Sequence, residues 1–447
     1  MMTLSARSRG AAQARAQHSY AARHVLLPVQ RFLQTEVSSG ALLLLAAAAA
    51  LIWANSRWSA SYASLWHTAA SLQFGSFSIS HDLREWINDA FMVVFFFVVG
   101  LEVKREFMHG ELADPRRAAL PVTAAVGGML VPALFYAALN WHGATARGWG
   151  IPMATDIAFA VGVLALVGDR VPPAARVFLL ALATVDDIGA ILVIAIVYTE
   201  GISVGPLMLA LFLIAVIIGM RRFGVSNLLY YVPVGVLLWF AVLQSGVHAT
   251  IAGVVMGLLT PARPHFNSAQ FVWRAAASLH NYEAAVAARD HETAEALLGE
   301  LDQLTSDTES PADRLLRLLH PWSSYVILPL FALANAGVLI SRSAAAAALT
   351  SRISLGVVLG LVIGKVVGIT LFTLLATRWG LARMIHGVDR MQLVGIGLLG
   401  GIGFTVSLFI SDLAFADVPM IEQAKLGIVA GSVLSAVAGY VVLRCRK

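Results

Sequence analysis

Long apolar runs separated by short polar segments recur along almost the whole chain. Many of these runs are about 20 residues long, which is enough for a helix to cross the hydrocarbon core of a bilayer. They are continuous rather than alternating, so the pattern favours helices over a transmembrane β-barrel. It predicts twelve spans, at about residues 33–54, 87–103, 118–139, 150–168, 175–198, 204–220, 226–244, 246–260, 322–341, 354–377, 391–413 and 424–443.

Two segments depart from this pattern. Residues 55–86 contain "LQFGSFSIS", whose alternation of apolar and small residues predicts a short β-hairpin. Residues 261–320 form a long polar stretch, in which "NYEAAVAARDHETAEALLGELDQL" predicts one amphipathic helix and "TSDTESPAD" a linker. The predicted organisation is therefore a basic tail (1–32), eight spans (33–260), a cytoplasmic loop (261–320), and four spans with a short basic tail (321–447).

Composition supports a membrane protein. The chain is 58% hydrophobic and only 13% charged, whereas soluble domains carry about 25% charged residues. We therefore expect an all-α, polytopic integral membrane protein. Its single cysteine, Cys445, excludes an intrachain disulfide.

The basic residues indicate an orientation. With the twelve predicted spans, 24 of the 31 lysines and arginines fall on one side and six on the other, while Lys365 lies inside a span. The positive-inside rule then places both termini in the cytoplasm. Because the basic residues are spread over many loops instead of one patch, no nucleic-acid partner is expected.

Two spans carry signals of an interruption. Span four contains Pro152, which removes a helix hydrogen bond, followed closely by Thr155 and Asp156. Span eleven contains "GLLGGIGFTVS", where the glycines indicate either an unwound segment or close packing ahead of Thr405. Interrupted spans at matching positions in two halves point to a transport site. The pattern thus predicts inverted repeats with two discontinuous crossing helices.

Two adjacent acids lie near the centre of span five. An ionised Asp at the bilayer midplane costs roughly 2.5–3.5 kcal/mol, so Asp186 and Asp187 need a reason to be there. Successive helical residues point about 100° apart, so the two side chains face different surroundings. Carboxylates, the Thr155 hydroxyl and freed carbonyls are oxygen ligands for Na+ or Li+, and a proton competes for the same carboxylates. The pair therefore predicts cation and proton exchange at one site; an N-cap role for Asp186 is the structural alternative.

The half-helices expected in spans four and eleven have partial charges at their ends. Asp156 is predicted to offset the positive N-terminal ends, and Lys365 the negative C-terminal ends. A structural ion pair between Lys365 and Asp186 is an open alternative, and the two roles do not exclude each other.

Seven segments, in order between Trp86 and Ile410, resemble the NhaA-type bacterial sodium/proton antiporters, and the resemblance extends from about residue 33 to 443. They are "WINDAFMVVFFFVVGLEVKREF", "GIPMATDIAFAVGVLALVG", "LATVDDIGAILVIAI", "SGVHATIAGVVMG", "LHPWSSYVILPLFALANAGV", "GKVVGITLF" and "GIGFTVSLFI".

The resemblance implies a transporter without a cofactor, not an enzyme. It implies twelve spans in the inner membrane and an electrogenic exchange of entering protons for leaving Na+ or Li+ that increases at alkaline pH. It matches Asp186 and Asp187 to the cation- and proton-binding pair, Thr155 and Asp156 to the first broken helix, and Lys365 to the lysine of span ten.

Other matches concern regulation and assembly. The positions matched to the family's pH response are Glu102, Glu106, His248 and His320; "LEVKRE" is also typical of an ordinary charged helix end, and such a histidine is often structural. The acid and histidine that the family often places before "LHPW" are here Leu316 and Arg317. Asp89 matches a secondary intramembrane acid, and residues 55–86 match a hairpin at a homodimer contact.

Three other functions are alternatives to an antiporter. A sodium-coupled solute symporter of related fold needs a larger cavity beside the cation site. An intramembrane aspartyl protease also buries two carboxylates, but on separate helices with one in a Gly-x-Gly-Asp segment, unlike "VDDIGA". A passive channel needs no buried titrating pair.

Overall fold

The computed structural model of the chain describes residues 27–74, 77–199, 201–225, 228–262, 264, 266, 268–340, 348, 350–385 and 387–445. Most of the predicted basic tail, residues 1–26, lies outside the described residues.

Helices make up most of the described chain. The elements are α1 (Leu27–Ala54), α2 (Ser59–Trp66), β1 (Ala69–Phe74), β2 (Phe77–Asp82), α3 (Leu83–His109, with a π-helical turn at Ile87–Phe91), α4 (Pro115–Leu139), a 3-10 helix (Ala144–Met153), α5 (Ile157–Val167), α6 (Pro173–Val197), α7 (Val204–Arg222), α8 (Tyr231–Gln244), α9 (Thr250–Leu259), α10 (Ser268–Ala288), α11 (His291–Thr308), α12 (Pro311–Trp322), a π-helical turn (Ser323–Ile327), α13 (Leu328–Asn335), α14 (Arg352–Arg378), α15 (Arg390–Gly400), α16 (Phe404–Ala414) and α17 (Val418–Arg444).

The helices agree with the predicted membrane class. Within the described residues, six are long and apolar enough to cross a bilayer, namely α3, α4, α6, α7, α14 and α17. Three further pairs are bent at a short break: α1 and α2 by 116°, the 3-10 helix and α5 by 42°, and α15 and α16 by 47°. The number of twelve spans and the inverted repeat stay predictions.

The predicted β-hairpin is confirmed. Strands β1 and β2 pair antiparallel, from Ala69 opposite Asp82 to Phe74 opposite Phe77. Asp82 also begins helix α3, because its carboxylate accepts a hydrogen bond from the Glu85 amide at 2.7 Å while the Glu85 side chain accepts one from the Asp82 amide at 3.1 Å. The hairpin therefore leads without a linker into a long helix, and the side of the molecule that carries it is called the hairpin side below.

The prediction of a single amphipathic helix within residues 261–320 is wrong, because the structure has two helices there, α10 and α11. Arg289 takes a left-handed backbone conformation with φ 59°, which ends the first helix. Asp290 then caps the second helix by accepting from the Thr293 amide at 3.1 Å. The predicted linker is also largely helical, because α11 extends to Thr308 and α12 begins at Pro311.

Span nine is shifted towards the N-terminus relative to its predicted bounds, 322–341. The helical path begins at Pro311 and ends at Asn335. The following residues are not helical because Asn55 binds their backbone: its amide donates to the Val338 carbonyl at 2.7 Å and its oxygen accepts from the Ile340 amide at 2.6 Å.

Glycines let two pairs of helices pack backbone against backbone. A Cβ atom on Gly368 of α14 would lie 2.1 Å from the Gly127 carbonyl oxygen of α4. On α9, a Cβ on Gly253 would lie 2.2 Å from the Val93 carbonyl oxygen of α3. Such contacts fix one helix against its neighbour, and the first of them sets the position of Lys365, which precedes Gly368 by one turn.

Candidate cation and proton site

The two interrupted helix pairs touch at their breaks. The Asp156 amide donates to the Ile402 carbonyl at 2.6 Å, and the Thr155 hydroxyl lies 2.7 Å from the Gly400 carbonyl oxygen. A Cβ on Gly403 would approach the Ala154 carbonyl oxygen to 3.0 Å. Both interruptions predicted from Pro152 and the glycines are therefore present, and each break supplies hydrogen-bonding groups to the other.

One carboxylate caps both half-helices. Asp156 is 3% exposed, and its Oδ1 accepts from the Phe159 amide of α5 at 3.1 Å. Its Oδ2 accepts from the Thr405 amide at 3.0 Å and from the Thr405 hydroxyl at 2.6 Å, at the start of α16. Since the N-terminal end of a helix carries partial positive charge, this negative group stabilises both ends together.

Asp186 and Lys365 form a completely buried ion pair. Asp186 lies on α6 and Lys365 on α14, and the Lys365 ammonium contacts Asp186 Oδ2 directly. Lys365 Nζ also donates to the Thr155 hydroxyl at 3.0 Å. The ion pair that the sequence left as an alternative is thus the arrangement in the structure. Lys365 is connected to the C-terminal end of α15 through Thr155, which contacts Gly400.

Thr155 has one hydroxyl proton and two acceptors for it. Its Oγ1 lies 2.6 Å from Asp186 Oδ2 and 2.7 Å from the Gly400 carbonyl oxygen. Since a hydroxyl donates one hydrogen bond at a time, one of these oxygens is left without that proton. The other oxygen of Asp186, Oδ1, is buried and has no hydrogen-bond partner among the described residues. Oxygen lone pairs are therefore in excess at this point, as a hard cation requires.

Asp187 has different surroundings from its neighbour. It is 7% exposed and lines a cavity of about 680 Å³, whose lining residues do not include Asp186. At the same end of the cavity lie Thr155, Asp156 and Thr405. Adjacent residues on one helix thus differ in access: one faces the cavity, and the other faces Lys365.

The cavity opens towards the side opposite the hairpin, among the exposed side chains of Arg105, His109 and Arg117. Glu102, Glu106 and His320 form part of its wall. His320 Nε2 lies 3.6 Å from Glu102 Oε1, and the Glu106 side chain accepts from the Glu111 amide at 2.7 Å.

Two candidates lie away from this cavity. The ring of His248 packs near that of Phe409, with 6.4 Å between ring centroids, and His248 does not line the cavity. Asp89 lies in the π-helical turn of α3, where its carbonyl accepts from the Trp239 indole at 2.8 Å. Of the four positions matched to a pH response, the structure therefore brings three together.

The sequence predicted freed carbonyls but not which ones, and it did not predict one charged cluster. The Gly400 and Ile402 carbonyls become visible only where the breaks meet. Arg84, Asp412 and Lys425 form a buried or half-buried cluster on the hairpin side, for which Lys425 near an apolar run was the one sequence signal. Among the described residues, no three His, Cys, Asp or Glu side chains form a metal site.

Comparisons with known proteins agree with the sequence motifs. A family model described as "Na+/H+ antiporter 1" matches residues 30–443. "Na(+)/H(+) antiporter NhaA 2" of Sorangium cellulosum is 48% identical over 424 residues, which cover 95% of this chain and 91% of that protein. "Na(+)/H(+) antiporter NhaA" of Oleidesulfovibrio alaskensis is 47% identical over 427 residues, covering 94% of each chain. The Salmonella paratyphi B protein of the same name is 45% identical over 425 residues, covering 94% and 98%.

Proposed function

Because this chain belongs to the Na+/H+ antiporter 1 family, we propose that it exports Na+ or Li+ in exchange for protons across the bacterial inner membrane. The resemblance predicted from the seven motifs is confirmed, and with it the class: a multi-pass membrane transporter and not an enzyme. That class excludes the intramembrane protease considered above.

The observation that carries the proposed mechanism is the different access of two adjacent acids. Asp187 lies at the inner end of a cavity, while Asp186 is buried behind it against Lys365 and Thr155. A cation that enters the cavity meets Asp187 first and reaches Asp186 only by competing with the lysine. Competition between cation and proton therefore takes place at Asp187, and competition between cation and ammonium at Asp186.

The proposed cycle uses this order. Without a cation, Lys365 compensates the charge of Asp186, and a proton on Asp187 removes the charge of that carboxyl. As the proton leaves through the cavity, Na+ or Li+ takes the freed oxygens of Asp187, then those of Asp186, with the Thr155 hydroxyl oxygen as a neutral ligand. After the site has become accessible from the other side, protons displace the cation. Asp187 releases one proton, and the buried Lys365 ammonium releases a second when the cation displaces it from Asp186. Two protons are then exchanged for one monovalent cation, as electrogenic exchange requires.

The half-helices provide the fixed frame for this exchange. Asp156 stays bound to the N-terminal ends of α5 and α16, so its negative charge compensates them whether or not a cation is present. We propose that it acts as a positioning residue, while Asp186 and Asp187 change ligands.

Orientation, regulation and assembly complete the proposal. We propose that both termini and the open end of the cavity face the cytoplasm, and the positive-inside count supports this orientation. The Glu102–His320 contact in the cavity wall and nearby Glu106 are proposed to take part in the response to pH, since protonated His320 pairs with Glu102. A homodimer through residues 55–86, which contain the hairpin, stays a proposal.

The test is a fluorescence assay of proton movement in everted membrane vesicles. Na+, Li+ or K+ is added between about pH 6.5 and 9, a range that begins at the ordinary pKa of histidine, about 6.5, and extends to alkaline pH. Protons leaving the vesicle lumen on addition of Na+ or Li+ support the antiporter. Sodium uptake that requires an organic solute and moves no protons supports the symporter and contradicts the proposal.

A further inference from the structure

A cluster of charged and amide side chains joins four helices on the hairpin side. Arg84, in the first turn of α3, donates from Nη2 to Asp412 Oδ2 at 2.8 Å and from Nε to Asn335 Oδ1 at 2.8 Å. Lys425 Nζ lies 3.1 Å from the other oxygen of Asp412. Asp412, near the end of α16, is thus paired with two positively charged side chains, and Lys425 is only 4% exposed.

Two of these four helices, α3 and α16, also line the cavity further along their length. Val99 and Glu102 of α3 and Thr405 and Val406 of α16 are lining residues. Thr405 precedes Asp412 by seven residues, or about 10 Å along the helix. Helices α3 and α16 are therefore in direct contact on the hairpin side, while towards the opposite side they face a common cavity.

Aromatic rings fill the space between the cluster and the cavity. Phe96 of α3 contacts Phe409 of α16 with 5.5 Å between ring centroids, and Phe331 of α13 contacts the same ring at 6.3 Å. All three side chains are buried. The hairpin side is thus closed by an apolar layer with an ion-paired layer outside it.

We infer that the Arg84–Asp412 pair is the gate that keeps the hairpin side closed while the cavity is open to the other side. This inference rests on the proposed function and adds to it the contact that must break for the site to face outwards. Separating α3 from α16 on the hairpin side takes Arg84 away from Asp412.

The cluster is built so that this separation leaves no isolated buried charge. Lys425 lies on α17, the helix that follows α16 directly, and it stays beside Asp412 when Arg84 departs. The Arg84 side chain is already 27% exposed, so its guanidinium can be hydrated once released. Breaking a buried ion pair is costly because it leaves a charge uncompensated. The Lys425 ammonium keeps Asp412 compensated, so the gate can open and close again.

The test compares Arg84→Gln with Arg57→Gln. Arg57 lies in the same predicted outer segment and its guanidinium contacts Trp58, away from the cluster. Half-saturating Na+ concentrations are measured in everted and right-side-out vesicles. If the Arg84–Asp412 pair stabilises the state that is closed on the hairpin side, its loss increases the fraction of molecules open to that side. The apparent affinity for Na+ measured from the hairpin side then rises with that fraction. For Arg84→Gln we expect the ratio of the outer to the inner half-saturating concentration to fall about ten-fold, with no change for Arg57→Gln.

A second variant and two contrary outcomes complete the test of the gate. Arg84→Lys, which keeps the charge but loses the planar fork, should lower the ratio in the same direction by a smaller amount, and this shift is the measurement if the Gln variant does not fold. An unchanged ratio in a well-folded Arg84→Gln protein, or an equal shift on both sides, overturns the gate. Absence of Na+-driven proton movement in the wild type overturns the proposed function instead, so the two failures are distinguishable.

Discussion

The hydroxyl of Thr405 donates to the carboxylate of Asp156 across 2.6 Å and so ties the second helix break to the first. The two residues are 249 positions apart in the chain, yet both are buried at the same point. This contact fixes the relative position of the half-helices α5 and α16, and with them the oxygens offered to a cation.

Thr405→Val should weaken this connection without changing side-chain size. Hydrogen bonds to charged groups contribute about 1.5–3 kcal/mol, so we expect a loss of that order in the free energy of unfolding. Thermal unfolding of the purified protein and the half-saturating Na+ concentration are the measurements. The matched control is Thr373→Val, because the Thr373 hydroxyl is buried without a hydrogen-bond partner among the described residues; that change should be neutral or stabilising. Equal effects of the two substitutions would contradict the role given to Thr405.

Asp187→Asn should abolish exchange while leaving the protein inserted in the membrane. The amide keeps the size of the side chain but can neither release a proton nor carry the negative charge that attracts the cation. Proton movement in everted vesicles is the readout, with the amount of protein in the membrane fraction measured alongside. Asp302→Asn, at an exposed position on α11, is the control and should exchange normally. Wild-type rates in the Asp187 variant would refute the assignment.

Lys365→Ala should destabilise the protein strongly. It leaves Asp186 buried without its charged partner, a change that typically costs about 3–5 kcal/mol. The double variant Asp186→Asn with Lys365→Ala removes both charges and should recover much of the stability but none of the exchange. Thermal unfolding of the two variants, together with their pH profiles, tests this. A lysine variant with unchanged melting temperature and unchanged profile would show that the pair is dispensable.

Gly368→Ala should separate two helices of the site. Its Cβ would lie 2.1 Å from the backbone oxygen of Gly127, so α14 must move away from α4 and carry Lys365 with it. Overpacking of this kind costs about 1–3 kcal/mol or more. At Gly219 of α7 a Cβ meets no heavy atom within 4 Å, and Gly219→Ala should be neutral or up to about 1 kcal/mol more stable. Comparable folding yield and exchange in both variants would count against the close crossing.

The distribution of apolar residues along the sequence was enough to predict much of this protein's architecture. A bilayer makes every unpaired backbone group and every charge costly at the place where it occurs, so spans, their interruptions and the buried acids leave local signals. Pro152, the glycines before Thr405 and the adjacent Asp186 and Asp187 were visible for that reason. The alternating residues of the hairpin gave an equally local signal.

The two errors have specific causes, one local and one distant in the chain. The division of the 261–320 segment depends on one left-handed residue, Arg289, in a stretch whose helical pattern continues across it. Span nine ends early because the Asn55 side chain binds backbone beyond Asn335, a partner about 280 residues away. Apolar periodicity contains no information about either event.

Only the tertiary structure decided which charges meet. Asp186 and Lys365 are 179 residues apart, and Arg84 and Asp412 are 328 apart; the sequence showed that such groups are costly but not how they pair. It could not show that one acid of the adjacent pair faces a cavity while the other faces a lysine. Partners of this kind are set by how helices pack around each other, and packing depends on the whole chain at once, whereas the cost of burying a group in lipid is set at the group itself.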